Sequence, residues 1–261
     1  MLHIDLTGKK ALVTGGSGGL GQAMSRVLAQ AGAAVAVHYG KDEDAAARVV
    51  AQIRQAGGTA VSVAADVADP EDVERLFQAV DQALGGLDIL INNAGSDGTR
   101  AFCADADPAQ WQRTLAIDLT GPYLCARQAL QRMLAQGRGV ILNITSVHEF
   151  IPWAGYGAYT SAKAGLSMFT KTVAQEAAAK GVRVVALAPG AIKTPINENV
   201  WSDPRGLADL DQKIAMGRPG EPQEVAQVAA FLVSDLASYV TGTTVAVDGG
   251  MLIYPDFRHG G

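Results

Sequence analysis

Thr14-Gly-Gly-Ser-Gly-Gly-Leu-Gly21 decides the fold. It follows a short apolar run, Ala11–Thr14, and opens a stretch with helical spacing, Gly21–Ala31. Glycine suits such a place for two reasons. A tight strand-to-helix turn needs positive φ at some positions, and the missing Cβ lets another group approach the backbone. The helix that starts there presents free N–H groups and a partial positive charge. A phosphate fits such a cradle, and after an N-terminal strand the arrangement reads as a dinucleotide-binding turn. Two registers match: Gly16, Gly18 and Gly21 as G-x-G-x-x-G, or Gly15, Gly19 and Gly21 as T-G-x3-G-x-G.

Outward from this turn, short β-branched runs alternate with longer helical patterns. The strand candidates are Ala11–Thr14, Ala34–His38, Val61–Ala64, Ile89–Asn92, Val140–Thr145, Arg183–Ala188 and Thr244–Val247. Most are apolar throughout, as strands are when helices cover both faces. Helical segments include Asp42–Ala56, Pro70–Leu84 and Ala162–Lys180. The alternation predicts an α/β fold: one Rossmann-like, doubly wound domain over residues 1–261, with a seven-stranded parallel sheet flanked by helices. Residues 191–217, with Pro195 and Pro204, break the rhythm beyond a strand end, where ligands bind in such sheets. They are expected to form an irregular lid over a substrate.

Bulk properties narrow the class. Nearly half the residues are apolar (48%) and the formal net charge is −5, a balance that argues against nucleic-acid binding. No apolar run reaches transmembrane length, and the first ten residues lack the order of a signal peptide. The two cysteines, Cys103 and Cys125, have no metal-like spacing and suit a reducing compartment. A cytoplasmic protein without membrane or metal site is expected.

Cofactor choice rests on the second strand. An acid at its end would bind ribose hydroxyls and exclude a 2′-phosphate. This strand ends Val37-His-Tyr-Gly-Lys41, without an acid. His38 and Lys41 are expected to face a phosphate, which favours NADP, or use of both cofactors, over strict NAD.

Tyr159-Thr-Ser-Ala-Lys163 places a phenol and an ammonium four apart, on one face of a helix. An ammonium favours a neighbouring phenolate, so such a tyrosine can exchange protons with an alcohol or a carbonyl. The pair alone is weak, but Ser146 ends the strand Val140–Thr145 and could hydrogen-bond a substrate oxygen. Asn92-Asn-Ala-Gly95 ends another strand at the same edge.

Together these motifs resemble the classical short-chain dehydrogenases over essentially the whole chain. The matching residues are Thr14-Gly15 with Gly19 and Gly21, Asp66-Val67, Asn92–Gly95, Ser146, Tyr159 with Lys163, and Pro189-Gly190 with Thr194. The resemblance implies the register Gly15, Gly19, Gly21, with Ser17 and Leu20 in the same cofactor turn. It implies that Asp66 and Val67 border the adenine, that Asn93, Ala94 and Gly95 line the nucleotide, and that Pro189, Gly190, Ile192 and Thr194 hold the nicotinamide end. Ser146 would polarise the substrate oxygen, Tyr159 exchange the proton, and Lys163 bind the nicotinamide ribose. A homotetramer is implied as well.

Within that family the chain is most similar to bacterial glucose 1-dehydrogenases, through Ser146-Val-His-Glu149, Ile151-Pro-Trp153, Thr194-Pro-Ile-Asn197 and the tail Tyr254-Pro-Asp-Phe257. That likeness implies oxidation of glucose at C1, with His148, Asp97 and Asn197 in the sugar pocket. The alternatives are a reductase for another ketone or oxoacyl substrate, and a nucleotide sensor of low turnover. One position departs from the family pattern. Where an asparagine usually supports a proton-relay water, this chain has Asp118. An active enzyme with an altered pH profile is expected.

Overall fold

The computed structural model describes residues 3–253. The tail motif 254–257 therefore lies outside the described residues. Seven strands form one parallel sheet: β1 (Lys10–Val13), β2 (Ala34–Tyr39), β3 (Thr59–Ala64), β4 (Ile89–Asn92), β5 (Gly139–Ile144), β6 (Val182–Pro189) and β7 (Thr244–Val247). Their order is β3-β2-β1-β4-β5-β6-β7, and every pairing is parallel. The order reverses between β1 and β4, and a crevice opens there at the carboxyl ends of the strands. Each expected strand is present, within about two residues at its ends.

Nine α-helices lie among the described residues: α1 (Gly19–Gln30), α2 (Glu43–Gln55), α3 (Pro70–Leu84), α4 (Pro108–Leu115), α5 (Gly121–Gln136), α6 (Gly157–Ala177), α7 (Glu198–Trp201), α8 (Pro204–Gln212) and α9 (Pro222–Val233). Two apolar cores explain the continuous hydrophobicity of the strands. On one face Val13, Val35, Ile91 and Leu187 pack with Met24, Leu28, Val225 and Ala229. On the other, Leu12, Leu90 and Ile141 pack with Phe77, Ala126 and Met133. No described helix is long and apolar enough to cross a membrane.

Helix starts follow from local chemistry. Asp42, Asp69 and Asp107 accept hydrogen bonds from first-turn N–H groups, and proline occupies the opening turn of α3 and α4. The same chemistry corrects the reading of 191–217. That segment is not irregular: Asp203 caps α8 through Gly206 N, and Pro195 and Pro204 sit in opening turns. A proline that reads as a breaker inside a helix is well placed at its start, where no N–H bond is lost.

A buried polar chain crosses the middle of the sheet. Asn92 Nδ2 donates to Pro122 O (3.2 Å) and to Asn143 Oδ1 (2.9 Å). Asn143 Nδ2 donates to Thr170 Oγ1 (2.8 Å), which donates to Leu166 O (2.8 Å). It joins β4, β5, α5 and α6, the elements that bear the site. Replacing Asn143 by Leu leaves buried groups unpaired and should cost about 1–3 kcal/mol. Urea denaturation of the variant would measure this; an unchanged midpoint would show that the chain of amides contributes nothing.

Candidate active site

The glycine turn adopts the register with Gly15, Gly19 and Gly21. Gly15 and Gly19 have φ of +60° and +46°, and a Cβ on Gly21 would stand 2.0 Å from Gly15 O. Gly18 instead faces open space, with nothing within 4 Å of the position a Cβ would take. It precedes α1 without a side-chain cap, so the first-turn N–H groups are left for an anion. The turn is tied to the end of β4. Thr14 Oγ1 accepts from Asn93 N (2.9 Å) and Ala94 N (3.0 Å), while Asn93 Nδ2 donates to Thr14 O (2.9 Å) and Gly15 O (3.2 Å). A Cβ on Gly15 would meet Ala94 Cα at 3.0 Å. The bare backbone of turn and strand edge suits a flat, phosphate-bearing ligand.

His38 does not face outward, and its expected role as a phosphate contact is corrected. It is 2% exposed. Its Nδ1 accepts from Gly15 N (2.9 Å), so Nε2 carries the proton and donates to Ala65 O (3.0 Å). The ring is spent beneath the turn, and burial holds its pKa below the ordinary value. Lys41 stays exposed at the end of β2. Asp42 turns its carboxylate onto Ala45 N (2.8 Å) as the cap of α2. At the far side of the crevice, Asp66 accepts from Ala68 N (3.0 Å) and pairs with Arg113 (3.0 Å). Val67 is buried there.

Helix α6 begins five residues earlier than expected, so Tyr159 lies in its first turn and Lys163 one turn on, four apart. Lys163 is deeply buried. Its Nζ donates to Ile144 O (3.1 Å) and lies 3.0 Å from Asp118 Oδ1 and 5.5 Å from the centre of the Tyr159 ring. Ser146 follows β5. Its Oγ accepts from His148 N (3.2 Å), which leaves the hydroxyl proton free. The His148 ring meets Tyr159 edge-on at 6.4 Å. Ser146, Tyr159 and Lys163 are thus gathered at one sheet edge.

Asp118 joins them. A single π-helical turn, Ala116–Thr120, separates α4 from α5 and carries Asp118 inward until it is fully buried. Such widened turns recur at functional sites. Its carboxylate accepts from Ser96 N (3.1 Å) besides meeting Lys163. Burial raises the Asp118 pKa, and the Lys163 ammonium opposes the rise. Burial works against the Lys163 charge, but the charges of Asp118 and Tyr159 outweigh it and hold the lysine protonated. Half-buried Asp97 is pushed up too, by burial first and then by Asp118.

Of the expected substrate contacts, His148 and Asp97 stand beside this group. Asn197 is drawn back: its Oδ1 accepts from Thr194 N (3.1 Å) and Thr194 Oγ1 (3.0 Å). Within the 191–217 segment, Trp201 Nε1 donates to Thr194 O (3.0 Å). Thr194 also lies 3.6 Å from where a Cβ on Gly19 would be, so Thr194 closes on the glycine turn, while Ile192 packs against Gly220. Pro189 and Gly190 lead there, with a Cβ on Gly190 blocked at 2.8 Å by Asp248. Sequence reading missed an aromatic stack. Trp153 lies between His148 (4.5 Å, 13°) and Tyr156 (3.8 Å, 26°), and meets Tyr159 edge-on at 6.2 Å. No periodic spacing marked it, because Trp153 and Tyr156 precede the first residue of α6.

Comparison with known proteins supports the fold and places the chain in a family. A family model described as enoyl-(acyl carrier protein) reductase matches residues 15–252. The chain belongs to the short-chain dehydrogenase/reductase family. It is similar to 3beta-hydroxysteroid dehydrogenase 1 of Eggerthella lenta, 46% identical over 99% of each chain. It is similar also to glucose 1-dehydrogenase 2 of Bacillus subtilis, 41% identical over 97% of this chain and 98% of that one. A dehydrogenase/reductase structure from Sinorhizobium meliloti 1021 superposes with a TM-score of 0.90 at 36% identity, covering 95% of this chain and 96% of the other. Family members act as oxidoreductases on CH–OH groups with NAD or NADP.

One pH effect follows from His38. In the unfolded chain this ring protonates near its ordinary 6.5, whereas the folded ring resists protonation. The unfolded state then binds more protons, so stability is full above about 6.5 and falls as pH drops below it. His148, lowered mainly by burial, adds a slope of the same sign. Urea midpoints measured from pH 7.5 down to about 5 should fall, and His38→Asn should flatten part of the decline. Equal slopes for the two proteins would refute this account.

Proposed function

We propose that this chain catalyses reversible hydride transfer between NADP or NAD and a secondary alcohol borne on a ring, with a sugar such as D-glucose, oxidised at C1, as the first candidate. The observation that carries the reading is the gathering of Ser146, Tyr159 and a buried Lys163 ammonium beside the ring stack of Trp153. The edges of the stacked rings give the site an apolar border, against which a compact cyclic substrate gains more contact than an extended acyl chain.

Gly15, Ser17, Gly19, Leu20 and Gly21 would hold the pyrophosphate, with Asp66 and Val67 at the adenine. Asn93, Ala94 and Gly95 would line the middle, and Pro189, Gly190, Ile192 and Thr194 the nicotinamide end. The cofactor supplies the hydride acceptor or donor. Ser146 donates its free hydroxyl proton to the substrate oxygen and so fixes its position. Tyr159 Oη takes the alcohol proton during oxidation and returns it during reduction. Lys163 keeps a positive charge beside the phenol, where it can stabilise negative charge that develops in the transition state. His148 and Asp97 offer polar contacts to ring hydroxyls, and Asn197 acts indirectly, by bracing Thr194 in the 191–217 lid. With His38 occupied and Asp42 spent as a cap, Lys41 is the side chain left to meet a 2′-phosphate. That favours NADP, or both cofactors, over strict NAD.

A second reading is reduction of a larger, less polar cyclic ketone. It is favoured by the apolar rim at Trp153 and Phe102, 38% and 59% exposed, and by the higher identity to the hydroxysteroid dehydrogenase. Exposed Phe150, Met168 and Tyr239 offer apolar surface for contacts between copies, in keeping with a homotetramer.

The test is nicotinamide reduction by the purified protein with D-glucose and a panel of cyclic alcohols, NAD and NADP in parallel. Turnover is expected with at least one ring alcohol, and Lys41→Ala should raise KM for NADP alone. Tyr159→Phe should lose at least about a hundredfold in kcat, the usual scale of general acid–base catalysis, while still binding cofactor. Surviving turnover would remove Tyr159 from the mechanism. Asp118→Asn should shift the pH–rate curve of oxidation to lower pH, because a buried negative charge disfavours a second one nearby. Superimposable curves would sink that expectation.

A further inference from the structure

The loop after β4 crosses the mouth of this site and docks on the loop before α6 through one backbone bond, Ala101 N to Gly155 O (2.9 Å). That contact sets Arg100 against Gly155. A Cβ on Gly155 would meet Arg100 Cγ at 2.9 Å and Nε at 3.3 Å, so the side chain lies across the bare glycine, whose φ is +90°. The guanidinium stands 5.5 Å over the ring of Phe102. No carboxylate among the described residues forms an ion pair with Arg100.

The order of groups along the mouth is informative. Tyr159 stands at one end. Trp153 meets it edge-on, Tyr156 stacks on Trp153, Gly155 precedes Tyr156, and Arg100 lies on Gly155. The succession of contacts thus runs from the phenol through two aromatic rings to a cation. A ring lying along these groups with its carbinol at Tyr159 would bring its opposite side toward Arg100. A planar guanidinium with free donors is matched by a carboxylate, which accepts two parallel hydrogen bonds.

We propose that Arg100 is a specificity-determining residue, and that the substrate is a ring-borne alcohol carrying a carboxylate on the side of the ring away from the reacting carbon. This rests on the reading of Tyr159 as the reaction centre. Two sources share that chemistry, a uronic acid and an alicyclic hydroxy acid.

The experiment measures kcat/KM for matched pairs with NAD and NADP: D-glucuronate against D-glucose, and 4-hydroxycyclohexanecarboxylate against its methyl ester. At least one acid should exceed its neutral partner by about tenfold, the scale of one charge-assisted hydrogen bond. Arg100→Gln should abolish that preference while leaving the neutral partner within about twofold, and Arg100→Lys should restore part of it. Added salt should shrink the preference in the wild type. A preference in the sugar pair alone assigns a uronic acid, and in the other pair alone an alicyclic acid. Equal rates for acid and neutral partner in both pairs overturn the proposal, as does a preference that survives Arg100→Gln. In either case, turnover of the neutral alcohols would leave the proposed function standing. No turnover of any ring alcohol would overturn both.

Discussion

A lysine ammonium enclosed in protein has to be compensated, and the surroundings of Lys163 are arranged for that. Its N–H groups find the carbonyl of Ile144 at the end of β5 and the carboxylate of Asp118 on the π-helical turn. Removing either partner would leave a buried charge short of a bond, a far larger penalty than the pair itself contributes. The constraint therefore reaches outward. β5 must end where it does, the helix between β4 and β5 must widen by one residue, and α6 must start early enough to place Tyr159 one turn before the lysine. The hydrogen-bonded chain through Asn92, Asn143 and Thr170 ties β4, β5, α5 and α6 together beside it.

The aspartate changes the character of this corner. An amide there could bind the lysine but would bring no charge. With Asp118 the corner holds an ammonium and a carboxylate in contact, and a second acid, Asp97, close enough to feel the first. Whatever proton traffic passes through the site does so in the field of that acid pair.

Much of this was legible in the residues. Continuous apolar strands, a glycine turn after the first of them and a Tyr–Lys pair four apart led to the parallel sheet, its alternation with helices and the gathered edge. What stayed hidden depended on direction rather than identity. His38 reads as a strand-end cation from its spacing, but the alternation of the strand turns it inward, where Gly15 N and Ala65 O take both nitrogens. Pro195 and Pro204 read as breakers because composition does not tell the first turn of a helix from its middle. The aromatic stack around Trp153 arises from a loop, where no period marks which rings will meet.

Gly95 makes the corner a matter of inheritance. A Cβ there would stand 2.6 Å from Asp118 Oδ1 and 3.5 Å from Lys163 Nζ. Positions 95, 118 and 163 therefore cannot drift independently. A larger residue at 95 becomes tolerable only after the side chain at 118 has shortened or turned away, and that step first strips the lysine of its carboxylate. Any lineage that carries the aspartate is held to glycine at 95 for as long as the lysine stays buried.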